Sequence, residues 1–131
     1  MKKLIPIFLS ALLFTGCAGT SNNQTNTYRQ ISIDEAVAMM KQETGYIILD
    51  VRRADEFAAG HIPGAINVAN ESIGTDEIPE LPDKDQLIMV YCRSGRRSKE
   101  ASEKLVKLGS TNIVEFGGIL DWKGETVVEK K

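Results

Sequence analysis

Of the two cysteines in this 131-residue chain, Cys92 opens the run Cys92-Arg93-Ser94-Gly95-Arg96-Arg97-Ser98, directly after an apolar segment of strand length. A thiol acts as a nucleophile through its thiolate, and cationic neighbours, converging backbone N–H groups and a helix N-terminus all favour that form. A free cysteine near pKa ~8.5 is only a few per cent ionised at neutral pH, whereas such surroundings bring it to ~3.5–7.5. Arg93, Arg96 and Arg97 supply the charge, so no histidine base is required. Gly95 lets the loop adopt a backbone conformation that a Cβ would hinder and turn its N–H groups inward. Guanidinium groups match arrays of anionic oxygens, and the Ser94 and Ser98 hydroxyls can donate to the same anion. The run therefore reads as an anion cradle, residues 93–98, built around one reactive sulfur. An inert cysteine buried at a strand end is the plain alternative, and three arginines and a glycine within five residues weigh against it.

Asp50 and Arg52 follow another apolar run and are candidates for lining the same pocket or for a salt-bridge frame behind the loop. His61 lies in the turn Gly60-His61-Ile62-Pro63-Gly64, where its ring is expected to cap backbone groups. Glu56 is expected to pair with Arg52 or Arg53, and Trp122 to pack on the core.

The second cysteine belongs to the leader. Met1-Lys2-Lys3 precedes an apolar stretch over residues 4–14 that is too short to span a bilayer and suits an export signal. Leu13-Phe14-Thr15-Gly16-Cys17 resembles the lipobox of bacterial lipoprotein signal peptides, with Phe14 where that pattern has a smaller aliphatic residue. The resemblance implies cleavage before Cys17, a lipid on its thiol, and a membrane anchor facing the cell envelope on the extracytoplasmic side. A capped Cys17 leaves Cys92 unpaired, and a lone thiol in an oxidising compartment points to a reactive role. Residues 18–30 hold almost nothing that could pack and read as a polar tether with a random-coil reach of roughly 20 Å.

The expected organisation is a signal peptide over residues 1–16, the lipidated cysteine and tether over 17–30, and one domain over 31–131, a length that suits a single core. Without Lys2 and Lys3 the 16 basic residues become 14 against 18 acidic, a net charge near −4. That balance argues against nucleic acid as a partner. One histidine and one free thiol are too few for a cysteine/histidine zinc site, so neither a metal nor a cofactor is expected.

Alternating elements must position the thiol. Ser32 with Glu35 forms a capping-box pattern opening a helix that ends by Gly45. Residues 46–51 form a continuous apolar run, the mark of a strand covered on both faces. A short helix over 55–59, a strand over 65–68 and a loop region over 70–85 follow. A strand over 86–91 carries Cys92 at its end, a helix over 98–108 is closed by Gly109, and a strand over 112–116 leads to Gly117-Gly118. The pattern predicts an α/β domain around a mostly parallel sheet of about five strands with helices on both faces. Ligands of such sheets bind beyond the carboxyl ends of the strands, where Cys92 lies.

Three blocks carry a family resemblance. Residues 50–68, from Asp50-Val51-Arg52 through Gly60-His61-Ile62-Pro63-Gly64 to Asn67-Val68, resemble the first block of rhodanese-like domains. The Cys92 to Ser98 run resembles their active-site loop, and Gly117-Gly118-Ile119-Leu120-Asp121-Trp122 is similar to their C-terminal block. The resemblance implies a single-domain sulfurtransferase: Cys92 takes sulfane sulfur from a small anionic donor such as thiosulfate, holds it as a persulfide, and gives it to a thiol or cyanide-like acceptor. A monomer is expected. A cysteine phosphatase would need arginine at the sixth position after the cysteine, where this chain has Ser98. A sulfur carrier that docks an envelope partner without turnover is the competitor of another class. A dithiol redox role lacks a resolving cysteine.

Overall fold

The computed structural model describes residues 27–128. The leader, Cys17 and the start of the tether lie outside the described residues.

Five parallel strands form one sheet in the order β1-β5-β4-β2-β3. They are β1 (Arg29–Gln30), β2 (Ile47–Asp50), β3 (Ile66–Asn67), β4 (Ile88–Cys92) and β5 (Ile113–Gly118). The helices are α1 (Ile33–Gln42), α2 (Ala54–Ala59) and α3 (Arg96–Lys107), with 3-10 turns at Asn70–Ser72 and Ile119–Asp121. The sheet has a first strand, β1, that the sequence reading did not expect. Arg29 and Gln30, assigned above to the tether, pair with Val114 and Glu115. An edge strand needs only backbone partners on one side, so polar residues serve there without an apolar signal.

Side chains of β2 and β4 alternate between two cores, as the period of two requires. Leu49, Val51, Ile88, Val90 and Cys92 face α3, meeting Ala101 and Leu105. Ile48, Met89 and Tyr91 face the other layer, with Ala36 of α1, Ile62 and Phe116. Burial on both faces explains why these strands are apolar throughout. The capping box of α1 is complete: Ser32 Oγ accepts the Glu35 N–H at 3.0 Å and Glu35 Oε1 accepts the Ser32 N–H at 2.8 Å.

Two boundaries near Cys92 differ from the sequence reading. Cys92 is the last residue of β4 rather than the first beyond it, and α3 starts at Arg96 rather than Ser98. A serine ahead of an amphipathic run is an N-cap signal, yet Gly95 holds that position here, at φ 120°. Ser98 is instead buried one turn into the helix. Arg96 and Arg97 thus sit on the first turn of α3, close to its positive end.

Candidate active site

Cys92 ends the central strand β4, and the three residues after it turn the chain sharply into α3. The Gly95 N–H donates to Cys92 Sγ at 2.9 Å, and the sulfur lies 3.5 Å from Ser98 Oγ. Gly95 at φ 120° is in a region L side chains rarely adopt, which is what allows its N–H to point back at the sulfur. The sulfur is held under the loop, and Cys92 is 1 % exposed.

Over the loop lies an open cavity of about 590 Å³. Arg93, Ser94, Arg96, Arg97 and Glu100 line it from the loop and α3, together with Arg53, Asn70 and Glu71. Arg93, Ser94 and Arg96 are exposed, so their polar groups are presented to solvent. Cys92 itself is not among the lining residues, although its loop neighbours are. Of the expected cradle, Arg93, Ser94, Arg96 and Arg97 face this cavity, while Gly95 and Ser98 lie buried against the sulfur side.

The arginines are held differently. Arg97 makes two hydrogen bonds to Glu56, at 2.7 and 3.2 Å, in a largely buried ion pair between α3 and α2. Hydrogen bonds from Arg97 hold the Glu56 carboxyl at about 2, below its ordinary 4.5. Glu56 therefore does more than pair with Arg52 or Arg53 in its own helix, as the sequence suggested. It accepts the Arg53 N–H at 3.0 Å and also clamps the start of α3. Spacing along the chain gave no sign of this contact, which spans 41 residues. Arg96 reaches Glu100 at 3.0 Å on the exposed face of the helix.

Asp50 and Arg52 form a buried ion pair with each other. Asp50 is fully buried and takes Arg52 through both carboxylate oxygens, and Arg52 Nη2 also donates to the Gly60 carbonyl at 2.7 Å. Neither lines the cavity over the loop. Burial, and then Asp50, push the Tyr91 hydroxyl upward, keeping it neutral where it accepts the Ile62 N–H at 3.1 Å. His61 holds its turn as expected, with Nδ1 2.9 Å from the Phe57 carbonyl and its ring stacked on Phe57 at 3.7 Å.

Two contributors escaped the sequence reading. Gly118 passes directly beneath the loop: a Cβ there would stand 2.0 Å from the Arg93 carbonyl oxygen. The Leu120 N–H donates to that same carbonyl at 3.2 Å. The paired glycines were visible as part of a motif, but their close approach to the loop was not. Glu115 is the second, a carboxylate 3 % exposed on β5. It accepts the Ser98 hydroxyl and, at 3.0 Å, the Gly117 N–H. An irregularity in the β4–β5 ladder lies here, with Val90 opposite Glu115 but Cys92 opposite Gly118. The extra residue on β5 re-aims its neighbours, as bulges beside sites commonly do.

A family model described as "Rhodanese-like domain" matches residues 32–125. Thiosulfate sulfurtransferase PspE of Escherichia coli is 34% identical over 73 residues, covering 56% of this chain and 70% of that protein. Thiosulfate sulfurtransferase GlpE of Pseudomonas entomophila is 32% identical over 104 residues, covering 76% of this chain and 92% of that protein. The crystal structure of a rhodanese-related protein from Thermoplasma volcanium superposes with a TM-score of 0.65 at 30% identity, covering 78% of this chain and all of that one.

Proposed function

Since the chain belongs to the rhodanese-like domain family, we propose that it is a sulfurtransferase that moves sulfane sulfur through a persulfide on Cys92. The observation that carries this reading is Cys92 Sγ accepting the Gly95 N–H at 2.9 Å, beneath an arginine-lined cavity. An N–H donor aimed at sulfur and the positive end of α3 both stabilise a thiolate.

The thiolate attacks the outer sulfur of a thiosulfate-like donor. An Sγ–S bond forms, the S–S bond of the donor breaks, and sulfite leaves with the electron pair. A thiol or cyanide-like acceptor then attacks the outer sulfur, and Cys92 leaves as thiolate. Arg93 and Arg96, exposed on the cavity wall, bind the donor's sulfonate oxygens, with Ser94 hydrogen-bonding beside them. Arg97 positions the first turn of α3 through Glu56. A group that carries a single sulfur needs little room, which suits a thiol held this deep.

We propose a membrane anchor for the N-terminal segment as well. Cys17 carries lipid after removal of residues 1–16, and residues 17–30 tether the domain at an extracytoplasmic membrane surface. The catalytic part is tested by incubating the full chain with thiosulfate and weighing it. A gain of one sulfur atom, removed by cyanide with release of thiocyanate over many cycles, is the expected result. A single loading without turnover would indicate the carrier role instead, and hydrolysis of a phosphotyrosine peptide would indicate a phosphatase.

A further inference from the structure

Glu115 is buried next to the nucleophile and has no cationic partner, since none of the ion pairs among the described residues includes it. An ionised carboxylate in such a place is costly unless its hydrogen bonds compensate or a proton can reach it. Its two partners are the Gly117 N–H and the Ser98 hydroxyl, and Ser98 is fully buried. Ser98 Oγ has one proton and lies 3.5 Å from Cys92 Sγ. Given to Glu115, that proton leaves a Ser98 lone pair free to accept the Cys92 S–H. Sulfur, hydroxyl and carboxylate then form one chain of hydrogen bonds, enclosed between β4, β5 and α3.

We propose that Glu115 is a positioning residue and internal proton acceptor for Cys92, acting through Ser98; this rests on the sulfur-transfer reading above. The Cys92 proton passes to Ser98 Oγ as the Ser98 proton passes to a Glu115 oxygen. The product is a Cys92 thiolate that accepts hydrogen bonds from both Ser98 and Gly95, beside a neutral Glu115. The thiolate takes the donor sulfur as described, with Glu115 holding the proton while the persulfide exists. When the acceptor removes the outer sulfur, Cys92 leaves with the electron pair and recovers its proton along the same path. No proton has to be exchanged with water during the cycle, which matters for a cysteine that is 1 % exposed.

The titratable and charged groups around Glu115 are few. Cys92 comes from β4 and Tyr28 from the segment before β1. On α3, Arg97 is already paired with Glu56, and the Lys99 ammonium stands 3.9 Å from where a Gly95 Cβ would be. Cys92 and Glu115 are thus linked through the Ser98 hydroxyl.

The test follows thiolate absorbance near 240 nm and iodoacetamide labelling of Cys92 against pH, using the full chain, Glu115→Gln and Ser98→Ala, with Cys92→Ala as blank. Glutamine keeps an acceptor for Ser98 and Gly117 but takes no proton. The expected result is a two-step profile in the parent that becomes a single step in Glu115→Gln, with the circular dichroism melt little changed. If Glu115→Gln does not fold, Ser98→Ala is read instead, because removing the hydroxyl unlinks the carboxylate from the sulfur and gives one dominant step. A parent profile of one step, or a variant profile identical to the parent's, overturns the relay. Sulfur loading of the parent, weighed in parallel, separates that outcome from failure of the transfer reading, which predicts no mass gain at all.

Discussion

At the scale of single residues, the site consists of one sulfur and the groups aimed at it. Gly95 at φ 120° permits the N–H contact with Cys92. Gly95→Ala forces a side chain into that region, at about 1–3 kcal/mol. We expect a lower melting temperature and a loss of sulfur loading larger than the stability change alone explains, measured by melting and by mass. Arg93 lines the cavity and is exposed. Removing a charge-assisted hydrogen bond costs about 1.5–3 kcal/mol, so Arg93→Ala should raise the KM for thiosulfate roughly 10- to 100-fold in steady-state assays, with kcat less affected. A similar KM in the variant would place the donor elsewhere. Cys92, Gly95 and the arginines were legible in the sequence because their chemistry depends on neighbours along the chain. Glu115 was not, because its meaning comes from Ser98, which is 17 residues away and reached only after the sheet has formed.

At the scale of elements, two contacts hold the loop between β4 and α3. One is the passage of β5 beneath it at Gly118, where a Cβ would stand 2.0 Å from the Arg93 carbonyl. Gly118→Ala must push the loop away from β5, and overpacking of this kind costs about 1–3 kcal/mol or more. Both the melting temperature and turnover should drop. The other is the Glu56–Arg97 pair between α2 and α3. The Glu56 carboxyl is depressed from 4.5 to about 2 in the folded protein. Its stabilisation is therefore complete above about pH 4.5 and is lost as the pH falls through 4.5 toward 2. Urea denaturation across that window should show the parent losing stability faster than Glu56→Gln, the two differing by about 1–2 kcal/mol at neutral pH. Parallel curves would show that the pair contributes nothing. The strands β2 and β4, α1 and most of α3 could be read from apolar runs and caps, since burial on both faces leaves an unbroken pattern. The start of α3 misled because Ser98 carries an N-cap residue type while its hydroxyl is used inside the fold, and β1 was hidden because an edge strand needs no apolar side chains.

At the scale of the whole molecule, the domain is proposed to hang from a lipid anchor at Cys17. Full-length protein expressed in bacteria fed an alkynyl fatty acid should carry the label and sediment with membranes, and Cys17→Ser should lose both properties. Label retained in Cys17→Ser would remove the anchor from the account. The sheet itself explains the location of the chemistry: its strands are parallel, so their carboxyl ends gather at one edge, and β4, between β5 and β2, delivers Cys92 there. The most direct measurement is sulfur transfer from thiosulfate to cyanide by the parent and by Cys92→Ala, with intact mass recorded after the first step. One added sulfur atom and repeated thiocyanate release are expected for the parent, and neither for Cys92→Ala. Equal activity in the two proteins would contradict it.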